Sequence, residues 1–294
     1  MSAGQVVPAT GAGQVVPATA SQVVPATASQ VVPATASQVV SAAASQVVPA
    51  GQAVKEAVNA IDAPGTPESR WRAWPGLAAL PVLRHSTWRS AVVIAAHPDD
   101  EVLGVGGLIS LLAAAGVRLR LVAITDGEAS HPDAPDPAAL AARRVGESRA
   151  ALAALGAPAM EIVRLGLPDT GLDIRQEELA RTLREAAAGF EVCLAPWEAD
   201  VHADHEAAGR AAVAAGLSPL FYPIWAWHWA RPADPRLPWD QAVRVPLPPR
   251  ARTRKQAAIG CFASQLEPRG QGLEAVLPPR ILAHFDRGEE VLFG

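Results

Sequence analysis

The sequence predicts an α/β protein with a doubly wound, mostly parallel sheet and helices on both faces, preceded by a disordered repeat arm. Three observations carry this reading. From Ser90 onwards, short apolar runs rich in β-branched residues alternate with longer Ala- and Leu-rich stretches of helical spacing. Gly and Pro mark the ends of these runs. Residues 4–51 instead repeat one phrase (GQVVPATGA, GQVVPATA, SQVVPATA), whose Pro breaks helix and interrupts any central strand.

Taken in order, residues 1–51 read as a low-complexity octapeptide-repeat arm, extended and mobile, its near-identical copies pointing to duplicated coding DNA. Residues 52–88 read as a linker and wrapping segment. In it AVKEAVNAID (53–62) suits a short helix and PGTPESRW a turn, while Trp71, Trp74 and Trp88 lie in a Pro-punctuated stretch. That stretch should wrap onto the domain, because leaving so many large apolar groups in water is costly.

Residues 89–294 form the folded domain. SAVVIAAH is the first strand and EVLGVGGLISLLAAAG its helix; RLRLVAITDG and ALAARRVGESRAALAALG are the second pair. EIVRLGLPD and IRQEELARTLREAAAG follow, then FEVCLAPW and HEAAGRAAVAAG. LFYPIWAWHW is strand-like, VRVPLP suits another strand, and RARTRKQAAIGCF is a late helix. The fourfold alternation gives a Rossmann-like sheet, in which ligands sit at the carboxyl ends of the strands near the switch point.

Composition narrows the function. The chain has 294 residues, half of them hydrophobic, enough for one large or two small domains. A net charge of -4 leaves no basic footprint, which argues against nucleic acid as a partner. Cys193 and Cys261 lie far apart in apolar contexts and read as free thiols in a reducing compartment. The N-terminal MSAGQVVPATGAGQ has neither a basic region nor a long apolar one, so no signal peptide is expected. No uncharged run reaches the roughly 20 apolar residues of a membrane span. The expectation is a cytoplasmic protein.

Two clusters carry the chemistry. His97, Asp99, Asp100 and Glu101 follow the first strand in HPDDE, and His202, Asp204 and His205 follow the fourth in HADH. Buried charges without partners cost several kcal/mol each, and a cation is a natural compensation. Each cluster alone also suits helix capping, with Asp99 or Asp100 capping one helix and Asp204 the other. Two such clusters at equivalent strand ends fit a site better than two caps. Two histidines, a carboxylate and an open fourth position make a typical catalytic zinc set.

His97-Pro98-Asp99-Asp100-Glu101 with His202-Ala203-Asp204-His205 resembles the PIG-L (LmbE-like) family of zinc-dependent de-N-acetylases, from about Ser90 to the C-terminus. The resemblance implies that His97, Asp100 and His205 bind the metal, Zn2+ or alternatively Fe2+, and that Asp99 is the general base towards the attacking water. It gives His202 the oxyanion or the leaving amine, with Asp204 orienting or tuning it. Arg144 and Glu147 match the family's Arg-x-x-Glu, and Asp169 the loop acid that contacts sugar hydroxyls. Ala203 departs from the usual proline. The implied partner is a small-molecule amino-sugar or glycoconjugate substrate. The chemistry is coherent: zinc polarises an amide carbonyl and acidifies its water towards pKa of about 7. A carboxylate beside a metal ligand is within reach of that water.

Other signals are weaker. The glycines 104–107 follow the acidic cluster inside the helix, so they suit close helix packing rather than a dinucleotide turn. No G-x-S-x-G marks a serine hydrolase. On a strand, Trp225, Trp227 and Trp229 would share one face with His228 opposite, as a sugar platform or, more commonly, as core. Asp126, at another carboxyl strand end, is a candidate pocket residue; His131 suits a solvated turn, and His85 and His284 look structural or exposed. The Ser-Gln of GCFASQ suits a packing element near the site. The competing reading is a non-catalytic carbohydrate-binding or interaction protein with a structural metal site.

Overall fold

The computed structural model describes residues 60–61, 63–131, 135–270 and 272–294. The repeat arm and most of the expected 53–62 helix lie outside these residues. β1 (Ser90–Ala95) is buried at every position. Ala91, Val93 and Ala95 enter one apolar cluster and Val92, Ile94 and Ala96 the other, the two-residue period of a strand covered on both faces.

Around β1 the sheet adds β2 (Arg118–Ala123), β3 (Glu161–Arg164), β4 (Val192–Pro196), β5 (Pro219–Tyr222), β6 (Ala242–Pro246) and β7 (Glu289–Phe293). The order is β3-β2-β1-β4-β5-β7-β6. β1, β2, β3, β4 and β5 pair in parallel, while β7 runs antiparallel to both β5 and β6. β7 is the strand that the alternating pattern does not announce: EEVLF is short, opens on two acids and follows only two short helical turns, Pro279–Leu282 and Ala283–Phe285.

Helices α1 (Asp100–Ala114), α2 (Pro137–Leu155) and α5 (Pro249–Ile259) cover one face through Leu108, Leu152 and Ala258. α3 (Gln176–Ala186) and α4 (Ala203–Ala214) cover the other through Leu179 and Ala208. α2 shows why such ends form: the Asp136 side chain accepts from Ala139 N–H at 3.0 Å, Pro137 opens the first turn, and Gly156 closes the helix at φ 82°. At Gly104 a Cβ would collide with the Tyr222 ring, so this glycine serves close packing on β5.

α1 is broken at Val105 (φ -137°, ψ 20°). Glu290 of β7 accepts the freed N–H groups of Gly107 (2.7 Å) and Leu108 (2.9 Å). Lys255 of α5 donates to the Leu103 carbonyl and to Glu290, both at 2.7 Å. A buried ion pair thus supplies the partners that the break removes from the helix.

Two expectations are corrected. PGTPESRW is not wholly a turn, since Glu68–Arg72 is helical and seats Trp71, 0% exposed, against Trp227 with ring centroids 5.1 Å apart. The strand from LFYPIWAWHW stops at Tyr222, and Ala226–Trp229 is a helical turn, so Trp225, Trp227 and Trp229 share no strand face. The cause is a buried carboxylate, Asp200, which gathers the N–H groups of Ile224, Trp225 and Ala226 and winds the backbone there.

Candidate active site

The strand order reverses between β1 and β4, so the loops that follow these two strands meet at one crevice. After β1 the chain turns through His97-Pro98-Asp99 into α1. Asp99 takes φ 128°, strained for a residue with a Cβ. Several bonds hold it there: its N–H donates to Glu101 Oε2 (3.2 Å), its carbonyl accepts from Leu103 (2.8 Å), and the Gln265 amide grips the Pro98 carbonyl. Asp99 makes no side-chain cap to α1, and Asp100 Oδ2 instead accepts the N–H of His97 at 2.8 Å. The capping explanation therefore fails for the first cluster.

After β4, Val201 is likewise strained (φ 69°) and delivers His202 to the N-terminus of α4. Asp204 is no cap either. Its carboxylate accepts from Thr170 (2.9 Å), Gly171 and Leu172 (both 3.2 Å) and lies 3.3 Å from His97 Nε2. It therefore holds His97 and the 170–172 loop, while its charge favours the protonated form of His202. Three of the four non-glycine residues with positive φ among the described residues, Asp99, Thr170 and Val201, border this crevice.

Of the three expected metal ligands, Asp100 meets both histidines. His205 Nε2 lies 3.1 Å from Asp100 Oδ1, and His97 Nδ1 lies 3.6 Å from Asp100 Oδ2. Among the described residues two sets have ligand atoms within 4.8 Å of one another, His97 with His202 and His205, and His97 with Asp169 and Asp204, and Asp100 belongs to neither. His202 keeps a buried Nδ1 without a partner. Burial lowers the His205 pKa, but the charge and hydrogen bond of Asp100, and then Asp200, override this and raise it to about 9. Burial pushes the Asp99 pKa well up, reinforced by Asp100 and opposed by Arg144. Glu101, fully buried, is pushed to about 7, first by burial. A region that stabilises positive charge between carboxylates, beside imidazole nitrogens, suits a divalent cation.

His97, Asp99, Asp100, His202 and His205 line one open cleft whose void, mouth included, is about 590 Å³. Arg144 and Asp169 border it as well. The Arg144 guanidinium, 1% exposed, donates to the Gly127 carbonyl (2.6 Å) and Ser264 Oγ (3.3 Å) and keeps one buried nitrogen unpaired. Glu147 binds Ser264 through N–H (2.8 Å) and Oγ (2.6 Å), and the next residue, Gln265, reaches the cleft. Asp126 does not reach it. Its carboxylate pairs with Arg164 across β2 and β3, where a basic side chain on the neighbouring strand end turns it aside. His228 and His284 are structural, bonded to the Ala63 carbonyl (2.8 Å) and to Glu68 (2.9 Å).

One residue escaped the sequence reading. Asp200, 0% exposed, binds His205 Nδ1 at 2.7 Å; the hint was an acid five positions before a ligand histidine. Trp225, which the sequence offered as part of a sugar platform or as core, forms part of the cleft wall, its ring 15° from the plane of His202.

Residues 92–216, which contain both clusters, match the family described as PIG-L: GlcNAc-PI de-N-acetylase. The region that holds both clusters is thus similar to the PIG-L family. A stretch of 76 residues is 42% identical to a 1D-myo-inositol 2-acetamido-2-deoxy-alpha-D-glucopyranoside deacetylase of Acidothermus cellulolyticus, covering 23% of this chain and 26% of that protein. A diacetylchitobiose deacetylase of Thermococcus kodakarensis is 29% identical over 126 residues, 41% of this chain and 46% of its own length. The chain thus spans between a quarter and a half of the length of these relatives. A crystal structure of a deacetylase triple mutant from the teicoplanin biosynthetic pathway covers 69% of this chain and 97% of its own, at TM-score 0.53 and 20% identity, which shows the shared fold. Among the described residues no helix is long and apolar enough to cross a membrane.

Proposed function

We propose that this chain is a metal-dependent hydrolase that removes the acetyl group from an N-acetylglucosamine-type amino-sugar conjugate. One observation carries the reading: His97, Asp100 and His205 converge at the sheet's switch point with a buried carboxylate, Asp99, and an unpaired imidazole, His202, in the same cleft. The relatives named for deacetylation of amino sugars support the substrate class.

His97, Asp100 and His205 would hold the cation, with zinc the best match to two imidazoles and a carboxylate and ferrous iron an alternative. When bound, it supplies a Lewis acid that polarises the amide carbonyl and makes water more acidic. Asp99, whose proton affinity burial raises, takes a proton from the attacking water and returns it to the amine nitrogen as the C–N bond breaks. Burial, then His205 and His97, holds the His202 pKa well below its ordinary value, so it donates as a neutral imidazole to the developing oxyanion. Asp169 and Arg144 border the cleft and would meet the sugar hydroxyls. Water and amide become acetate and amine.

The test is amine release from a panel of N-acetylglucosamine conjugates, with and without chelator. Release that chelator abolishes and added zinc restores is expected; release from no conjugate at any metal load would overturn the reading in favour of a binding protein.

A further inference from the structure

Asp200 has no part in the mechanism above, yet it is among the most heavily used carboxylates in the molecule. One oxygen binds His205 Nδ1 (2.7 Å) and Trp225 N–H (2.9 Å); the other accepts from Ala226 (2.8 Å) and Ile224 (3.2 Å). Its own carbonyl accepts from the Trp229 indole at 3.2 Å. A single buried side chain thus holds both an imidazole of the metal set and the start of the turn that forms one cleft wall.

Each half has a physical consequence. A carboxylate on Nδ1–H fixes the His205 tautomer and leaves Nε2, which faces Asp100, as the electron-pair donor. Three consecutive N–H groups on the same carboxylate fix where Ile224 and Trp225 enter the cleft. The Trp225 indole lies nearly parallel to His202, at 15° and 6.4 Å between ring centroids, is half-buried and lines the cleft. Asp169 and Arg144 border the same cleft with polar groups. An aromatic face and hydrogen-bonding groups in one cleft match a pyranose, whose ring has an apolar C–H face and a hydroxyl rim.

We propose that Asp200 is a positioning residue that couples His205 to the substrate wall, and that Trp225 is the face on which the sugar ring of the substrate rests. The proposal builds on the deacetylase reading. It makes metal affinity and substrate affinity depend on one side chain, which a purely structural carboxylate would not do.

The test compares Asp200→Asn, Trp225→Phe and Trp225→Ala with the parent in the full chain, each first checked for an unchanged melting transition. Three quantities are read: zinc affinity by competition with a chromophoric chelator, KM and kcat on an N-acetylglucosamine glycoside, and the change in tryptophan emission on adding zinc. Trp225→Ala is expected to raise KM about tenfold with kcat and zinc affinity nearly unchanged, and Trp225→Phe to restore most of KM. Asp200→Asn is expected to weaken zinc binding by about 10–100-fold and to raise KM as well. It should also abolish the zinc-dependent part of the emission that Trp225→Phe removes. An unchanged KM in Trp225→Ala overturns the stacking face. Asp200→Asn that alters zinc affinity while leaving KM and emission as in the parent overturns the coupling. If the parent turns over no acetamido sugar, the deacetylase reading fails, and the zinc and emission measurements still decide the coupling.

Discussion

Asp99 carries two costs at once. Its backbone sits at φ 128°, and its carboxylate is buried beside Asp100. Strain of this kind costs about 1–3 kcal/mol and persists where function needs the geometry. Asp99→Gly is therefore expected to raise stability to urea by about 1 kcal/mol or more while abolishing turnover. Asp99→Asn should abolish turnover with little change in stability; full activity in either variant would remove Asp99 as the base. Asp126 is the contrasting residue. Paired with Arg164 outside the cleft, it predicts that Asp126→Asn leaves KM within about twofold of the parent, because exposed pairs contribute little.

Glu68 gives a pH dependence with a definite sign. Burial would raise its pKa, but hydrogen bonds from His284 and Arg287 prevail and lower it from 4.5 to about 2. The folded form thus holds its proton less tightly than the unfolded one, so the contribution is fully present above about pH 4.5 and is lost as pH falls towards 2. The stability gap between parent and Glu68→Gln should accordingly shrink over that window in urea titrations; a gap constant from pH 7 to pH 3 would contradict the assignment.

Among the elements, α1 depends most on its neighbours. Its break at Val105 frees the Leu103 carbonyl and the Gly107 and Leu108 N–H groups, which Lys255 and Glu290 take up. Removing one member leaves a buried charge alone. Lys255→Met is expected to cost about 3–5 kcal/mol, and Lys255→Met with Glu290→Gln less than the sum of the single changes. Chemical denaturation of the three variants measures this; additive costs would mean that the pair does not act as a unit. The strands behind β1 were legible because apolar runs and glycine stops are local properties of the chain. β7 was not, because its partners β5 and β6 run antiparallel to it and only two short helical turns, Pro279–Leu282 and Ala283–Phe285, precede it. The Trp225–Trp229 turn was misread for a related reason: its bend is imposed by Asp200, a residue of another loop.

At the level of the domain, the strand order brings the β1 and β4 loops together, although a hundred residues of chain separate HPDDE from HADH. The segment before β1 is part of the fold, since Glu68 binds Arg287 and the Trp71 indole donates to the Trp227 carbonyl at 2.8 Å. Deleting residues 1–51 is expected to leave turnover and melting temperature unchanged, whereas deleting residues 1–74 should sharply lower the melting temperature. Loss of turnover in the shorter deletion would give the arm a role in the site.

The alternation of apolar strands and helices, and the two clusters of His and Asp at strand ends, could be read from residue order alone, because periodicity and turn chemistry act over a few neighbouring residues. The partners of the buried charges could not. Asp126 turned to Arg164, Asp204 to His97 and the 170–172 loop, and Asp200 to His205 and Trp225. A carboxylate seeks the nearest donors when it leaves water, and folding brings those donors from distant parts of the chain.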